Sequence, residues 1–174
     1  MSPGGTLFVM IDLPSELTAT RLKLVHLYIS PGHNYVGRHG QAAGRHSVVE
    51  AAELHCVAGR GIEGDRFFDH RDNFEGQITF FADEVYQSLC ERFDLRDKPP
   101  SVFRRNAITQ GVDLAQWVGV EFEIGGVRFF GTEECRPCYW MDQAFCPGAE
   151  TALRGRGGLR ARILSDGVLR VKAL

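Results

Sequence analysis

The chain has 174 residues, 44% of them apolar and 24% charged, enough for one hydrophobic core and a wetted surface. Lys and Arg total 20 against 22 Asp and Glu, a formal charge of −2, so no global positive field argues for nucleic-acid binding. No run of 18 apolar residues occurs, which argues against a helical membrane span, and Met1-Ser2-Pro3-Gly4-Gly5 lacks the basic start of an export signal.

The 20 glycines and 12 phenylalanines point to short strands and sharp turns rather than a helical bundle. Five cysteines, an odd number in a chain large enough to need no staples, fit a reducing cytosol. Oxidised pairing of Cys135 with Cys138 stays chemically open.

Residues 1–21 read as an irregular lead-in, with one short helical turn near Ser15–Thr20, ahead of a single domain at 22–174. Arg21–Ile29 alternates and then turns apolar, which predicts a strand entering a core. From His33 to Ser47 the chain is polar, Gly-rich and basic. A loop of that length implies a role in covering or lining a site, the plain alternative being a surface excursion. Val48–Val57 predicts a second strand, broken by Ala58-Gly59-Arg60-Gly61, and Gln77–Phe81 a third. Ala82–Phe93 changes to helical spacing, with Val85, Leu89 and Phe93 on one side and Asp83 placed as a cap or dipole partner.

Asn106–Thr109 predicts a strand and Leu114–Val118 a short helix. Val120–Ile124 and Val127–Phe130 flank Gly125-Gly126 as a hairpin. Leu159–Leu164 and Val168–Val171 flank Ser165-Asp166-Gly167 as a second one. The expected fold is mainly β: a barrel of mixed strands with a few short helices.

The chemistry concentrates in a few segments. Cys135-Arg136-Pro137-Cys138 supports three readings: half a zinc site, a dithiol redox pair, or one reactive thiolate with a bystander. Zinc wants a second close ligand pair, and a redox motif belongs in a βαβ context; neither surrounds these cysteines. Arg136 favours a thiolate while Glu133 and Glu134 oppose it, and two structural thiols are the plain alternative. Arg104-Arg105-Asn106 could clamp a phosphate or simply begin a strand in solvent. The turn Gly61-Ile62-Glu63-Gly64-Asp65-Arg66 could offer N–H groups to an anion, or Asp65 could hold Arg66 and cap its own turn. Arg154, Arg156, Arg160 and Arg162 lie among glycines as a local basic surface suited to a small anion. No P-loop ending, zinc-deaminase His-x-Glu or Ser-centred elbow is present.

Taken in order, Gly61–Arg66, Gln77-Ile78-Thr79-Phe80, Arg105-Asn106, Gly111-Val112-Asp113-Leu114 and Cys135–Cys138 resemble the MOSC domain family, named for the C-terminal domain of molybdenum cofactor sulfurase. The resemblance runs from about Leu22 to Val171. It implies a β-barrel-like fold with a pocket for an anionic, pterin-type molybdenum cofactor (molybdopterin). It implies Cys138 as the thiolate ligand to molybdenum, with Cys135 second. By the same resemblance, Gly64, Asp65, Arg66, Gln77, Arg105, Asn106 and Arg160 lie at the cofactor.

The activity it implies is reduction of N-hydroxylated compounds, with electrons from a separate reductase. The alternative is a sulfur carrier or cofactor-handling protein whose Cys138 receives a persulfide from a cysteine desulfurase. A third reading, a pure binding module, would bury Cys138 and fill the pocket with Phe129, Phe130, Tyr139 or Trp140. Phe129 and Phe130 read as core, whereas Tyr139 and Trp140 are placed to shape a pocket wall.

Overall fold

Strand β5 (Ile78–Ala82) is apolar at nearly every position, and its first four residues are buried. Such a strand is covered on both faces. That single element explains the layering in the computed structural model, which describes residues 22–171. Ile78 and Phe80 face one apolar cluster, and Phe81 faces another across the sheet.

Among the described residues, β5 sits centrally in a seven-stranded sheet of order β2-β1-β6-β5-β9-β8-β7. Its partners are β1 (Lys23–Ile29), β2 (Val49–Glu50), β6 (Ala107–Gln110), β7 (Glu121–Ile124), β8 (Val127–Glu134) and β9 (Leu159–Ile163). The β5–β6 pair is parallel and the other pairs are antiparallel. A three-stranded sheet, β10-β3-β4, is made from β3 (Glu53–Val57), β4 (Gly61–Ile62) and β10 (Gly167–Arg170). Leu54, Cys56, Ile62 and Leu169 from the small sheet pack with Leu27, Ile78, Phe80 and Phe129 from the large one.

On the opposite face lie helix α1 (Asp83–Phe93) and the short helices α2 (Trp140–Ala144) and α3 (Ala149–Ala152). They bury Leu89, Trp140, Met141, Ala149 and Ala152 around Phe81, Phe103 and Ile108. Helix α1 begins without a side-chain cap: Ala82 is the N-cap. Asp83 instead sits in the first turn, where its charge suits the dipole, and accepts from Gln110 Nε2 at 2.8 Å.

The mainly β, mixed-strand architecture is as expected, but the barrel is not closed. The end strands β2 and β7 do not pair, so both sheets are open. Expected strand Val48–Val57 is interrupted at Ala51-Ala52, where the chain leaves β1 in the large sheet and enters the small one. With only two residues, β2 is too short to carry a closing ladder.

The second expected hairpin is also corrected. Strand β9 already has β5 and β8 on its two edges, so β10 crosses to the other sheet and pairs with β3. The crossing is held by Ala58 N donating to Asp166 Oδ1 at 2.8 Å and Arg128 N donating to Ser165 Oγ at 2.9 Å. The first hairpin forms as read, with Ile124 opposite Val127. The lead-in, including its helical turn, lies outside the described residues.

Gly131 in β8 allows the closest backbone approach in the sheet: a Cβ there would overlap the carbonyl of Trp117, in the 3-10 turn Leu114–Trp117. We expect Gly131→Ala to lower stability by about 2–4 kcal/mol in urea unfolding. A change below about 1 kcal/mol would show that this contact relaxes freely.

Candidate functional site

Beneath the site lies a buried polar node. Asp65, 6% exposed, accepts from Ser30 N at 3.0 Å, Phe67 N at 3.1 Å and Asn106 Nδ2 at 3.1 Å. Asn106 Oδ1 accepts from Thr79 N and Thr79 Oγ1, and its Nδ2 also donates to Tyr28 O at 3.3 Å. Gln77 bridges the two sheets, donating from Nε2 to Gly59 O and accepting from Ile163 N, each at 2.9 Å. These groups spend their hydrogen bonds on the fold. Gly64 is an exposed turn residue at φ 80, and with Asp65, Gln77 and Asn106 it stands outside the lining of the cavity described next.

That cavity is a hollow of about 180 Å³ lined by Arg66, Arg104, Arg105, Arg136 and Arg160, together with His33, Cys135 and Cys138. Among the described residues, no carboxylate lines it. Five arginines meet there because distant segments converge. Arg66 follows the β4 turn, Arg104 and Arg105 precede β6, Arg160 is on β9, and the cysteines follow β8.

The five are not equivalent. Arg105 donates from Nε and Nη2 to Gly157 O at 3.1 Å, from Nη1 to Phe103 O at 2.9 Å, and from Nη2 to Cys135 O at 3.4 Å. It clamps the cysteine segment against the glycine loop. Arg104, left-handed at φ 55, donates to Gly32 O at 2.6 Å and His46 O at 3.3 Å, tying down the basic loop. Arg160 pairs with Glu133 at 2.9 Å.

Arg66 is different. Its nearest carboxylate oxygen, on Asp65, is 3.6 Å from Nη1, beyond hydrogen-bond range, and the buried Nη1 has no hydrogen-bond partner. Burial pulls its pKa down to about 10 against the pull of Asp65, with Arg104 and Arg105 adding to the fall. The group is still a cation at neutral pH, desolvated and short of an anion. Such an orphan is costly in a fold without a ligand.

The two thiols also differ. Cys135 is 3% exposed, and burial raises its pKa although Arg105 and Arg160 oppose the rise. It is a neutral thiol. Cys138 is exposed at the mouth of the hollow, just before α2. Trp140 and Tyr35 pack at 4.5 Å between ring centroids beside it, whereas Phe129 is in the core between the sheets.

The loop from His33 to Ser47 contributes His33, Asn34, Tyr35 and Val36 to the lining. Asn34 fixes it with a reciprocal pair to His46, donating to its carbonyl and accepting from its N–H, both at 2.9 Å. His33, from the loop expected to line a site, and Arg104, from the expected Arg104-Arg105-Asn106 anion clamp, both reach the hollow, although neither belongs to the segments that carry the family resemblance. Of the C-terminal arginines only Arg160 reaches the hollow. Arg162 lies over the Phe130 ring, and Arg156 donates to Ala152 O. A larger cavity of about 550 Å³, between α1 and the Leu114–Trp117 turn, is mostly apolar and carries no thiol. The reactive groups are in the smaller hollow.

Comparison with known proteins places this geometry in context. A family model described as the MOSC domain matches residues 42–173. The fold is similar to the crystal structure of the YUAD protein from Bacillus subtilis, with TM-score 0.66 and 16% identity over 86% of this chain and 91% of that one. It is also similar to YiiM from Geobacillus stearothermophilus, with TM-score 0.62 and 18% identity over 87% and 72% of the two chains. For YiiM from Escherichia coli the TM-score is 0.58, with 18% identity over 86% and 67%. A comparison with curated proteins returned no match.

Proposed function

The chain belongs to the MOSC domain family, and from that premise we propose that its arginine-lined hollow binds a molybdenum cofactor used to reduce N-hydroxylated compounds. The single observation that carries this reading is Arg66, whose buried Nη1 has no hydrogen-bond partner among the described residues, in a cavity that none of their carboxylates lines. An anionic phosphate or pterin edge would satisfy it.

The residues present fit such a group. Arg66, Arg104 and Arg160 would hold its anionic parts, and Cys138 is the accessible soft donor for the metal. At about 180 Å³ the hollow is below the roughly 300–1,000 Å³ usual for a whole ligand, so it would seat part of the cofactor. When bound, the cofactor supplies two-electron redox chemistry.

The chain's own residues do the rest. Arg105 fixes the carbonyls of Cys135 and Gly157, which sets the backbone from which Cys138 extends. Buried Cys135 lines the same hollow. Residues 22–174 would act as one domain in a reducing compartment such as the cytosol, with electrons arriving from a separate reductase. Exposure of Cys138 favours a second reading as well: a persulfide carrier, charged by a desulfurase.

Two measurements on the full chain separate these readings. Loaded protein, given a reduced viologen dye as electron donor, should convert an N-hydroxylated amidine to the amidine. Cys138→Ala should lose at least about 10²-fold of that rate. Incubation with a desulfurase and cysteine should leave the wild-type mass unchanged. A gain of about 32 Da that disappears in Cys138→Ala, without turnover, would replace the reductase reading by the carrier reading.

A further inference from the structure

His33 is the one side chain lining the hollow whose ordinary pKa lies near neutrality; the other titratable groups there are arginines, thiols and Tyr35. It belongs to the basic loop and lies before residue 42, where the family match begins. Both of its neighbours are pinned. Gly32 O accepts from Arg104, and Asn34 holds His46 through its side chain and Gly44 through its carbonyl. Its ring packs edge-on against Phe67 at 5.1 Å, and the exposed His70 ring lies 6.3 Å away on the solvent side.

The charged groups facing His33 are Arg66, Arg104 and His70, with Asp65 behind Arg66. Burial and then the two arginines and His70 hold its imidazole below its ordinary pKa, and Asp65 opposes them weakly. An anion docked on Arg66 and Arg104 would cancel that repulsion, so anion binding and protonation of His33 must favour one another.

We propose that His33 is the proton donor of the hollow, loaded when an anion docks on Arg66 and Arg104 and placed to protonate the departing oxygen of a bound N-hydroxylated substrate. The substrate assignment rests on the reductase reading above. The N–O bond breaks, two electrons come from the separate reductase, and two protons are taken up. One proton joins the hydroxyl oxygen, which leaves as water, and the other forms a new N–H on the nitrogen. His33 gives one proton and regains it from solvent on the side of His70; the other proton comes from solvent.

The test uses the full chain with inorganic phosphate as the probe. The His33 imidazole resonance, assigned by its loss in His33→Gln, is titrated with and without saturating phosphate. The expected result is an apparent pKa raised by about one unit by phosphate. The resonance of His55, which pairs with Glu53, should not move. A His33 titration unmoved by phosphate overturns the proposal whatever the protein's reaction.

In the loaded chain, His33→Gln should lose about 10²-fold in kcat and the limb of the pH profile near neutrality. His70→Gln should lose less than about tenfold. Wild-type turnover in His33→Gln overturns the donor role. If phosphate shifts His33 but the loaded wild type reduces no N-hydroxylated compound, the reductase reading fails and the proton uptake by His33 stands.

Discussion

Asn106→Ala should destabilise the protein by about 3–5 kcal/mol, the largest stability effect expected of any single polar substitution in the chain. Asn106 is 5% exposed and lies where β5 and β6 begin their parallel pairing, with the turn after β4 packed against it. Its side chain serves four other buried groups: Thr79 N, Thr79 Oγ1, Tyr28 O and Asp65 Oδ2. Alanine satisfies none of them, and each buried group left unpaired costs about 1–3 kcal/mol.

Thr79→Val is the internal control. It removes Oγ1, yet Asn106 N keeps its bond to Thr79 O at 3.0 Å and Asn106 Oδ1 keeps Thr79 N. Its cost should stay near 1–2 kcal/mol, roughly the net value of one or two hydrogen bonds. Urea unfolding of the two variants measures the difference. Equal losses would mean that Asn106 does not hold the node together.

Arg66→Met should do the reverse, leaving stability nearly unchanged while ligand binding collapses. The Asp65 carboxylate already accepts three N–H groups without Arg66. The guanidinium adds a 3.6 Å ion pair and a contact over the Phe67 ring at 4.5 Å, and its burial is unfavourable enough to lower its pKa to about 10. Replacing a buried ion of that kind by an apolar side chain of similar length is often neutral or stabilising, so the expected change lies within about 1 kcal/mol.

Phosphate affinity, by contrast, should fall about 10²-fold, because a desolvated charge-assisted bond is lost. Calorimetric titration and urea unfolding of the same preparation separate the two effects. An Arg66 that served folding alone would show the opposite pattern: several kcal/mol of lost stability with phosphate binding intact.

What could be read from the sequence was mostly local. The hairpin about Gly125-Gly126 and helix Asp83–Phe93 follow from spacing within a dozen residues, and both form. The second hairpin has the same local signature but fails. Leu159–Ile163 is claimed on both edges by β5 and β8, strands about 80 and 30 residues earlier. Whether the sheet closes depends on the meeting of its end strands, a fact with no local signal.

The site shows the same division. The ordered motifs led to Arg66, Arg105, Cys135 and Cys138, all of which line one hollow. They led equally to Asp65, Gln77 and Asn106, which build the polar support under it. A motif records that a position is constrained without saying whether a ligand or the fold imposes the constraint. Arg104 and the loop from His33 carried local signals, but which of their side chains reach the hollow depends on long-range contacts of a loop and a left-handed turn, which have no periodicity to detect.

The central claim, that the arginine hollow holds a molybdenum cofactor through Arg66 and Cys138, is tested most directly by molybdenum and pterin analysis of the full chain purified from cells that make the cofactor. Wild type should carry both at close to one per chain, and Arg66→Met and Cys138→Ala, both folded, should each lose the metal. A folded wild type free of both, or full retention by both variants, would contradict it.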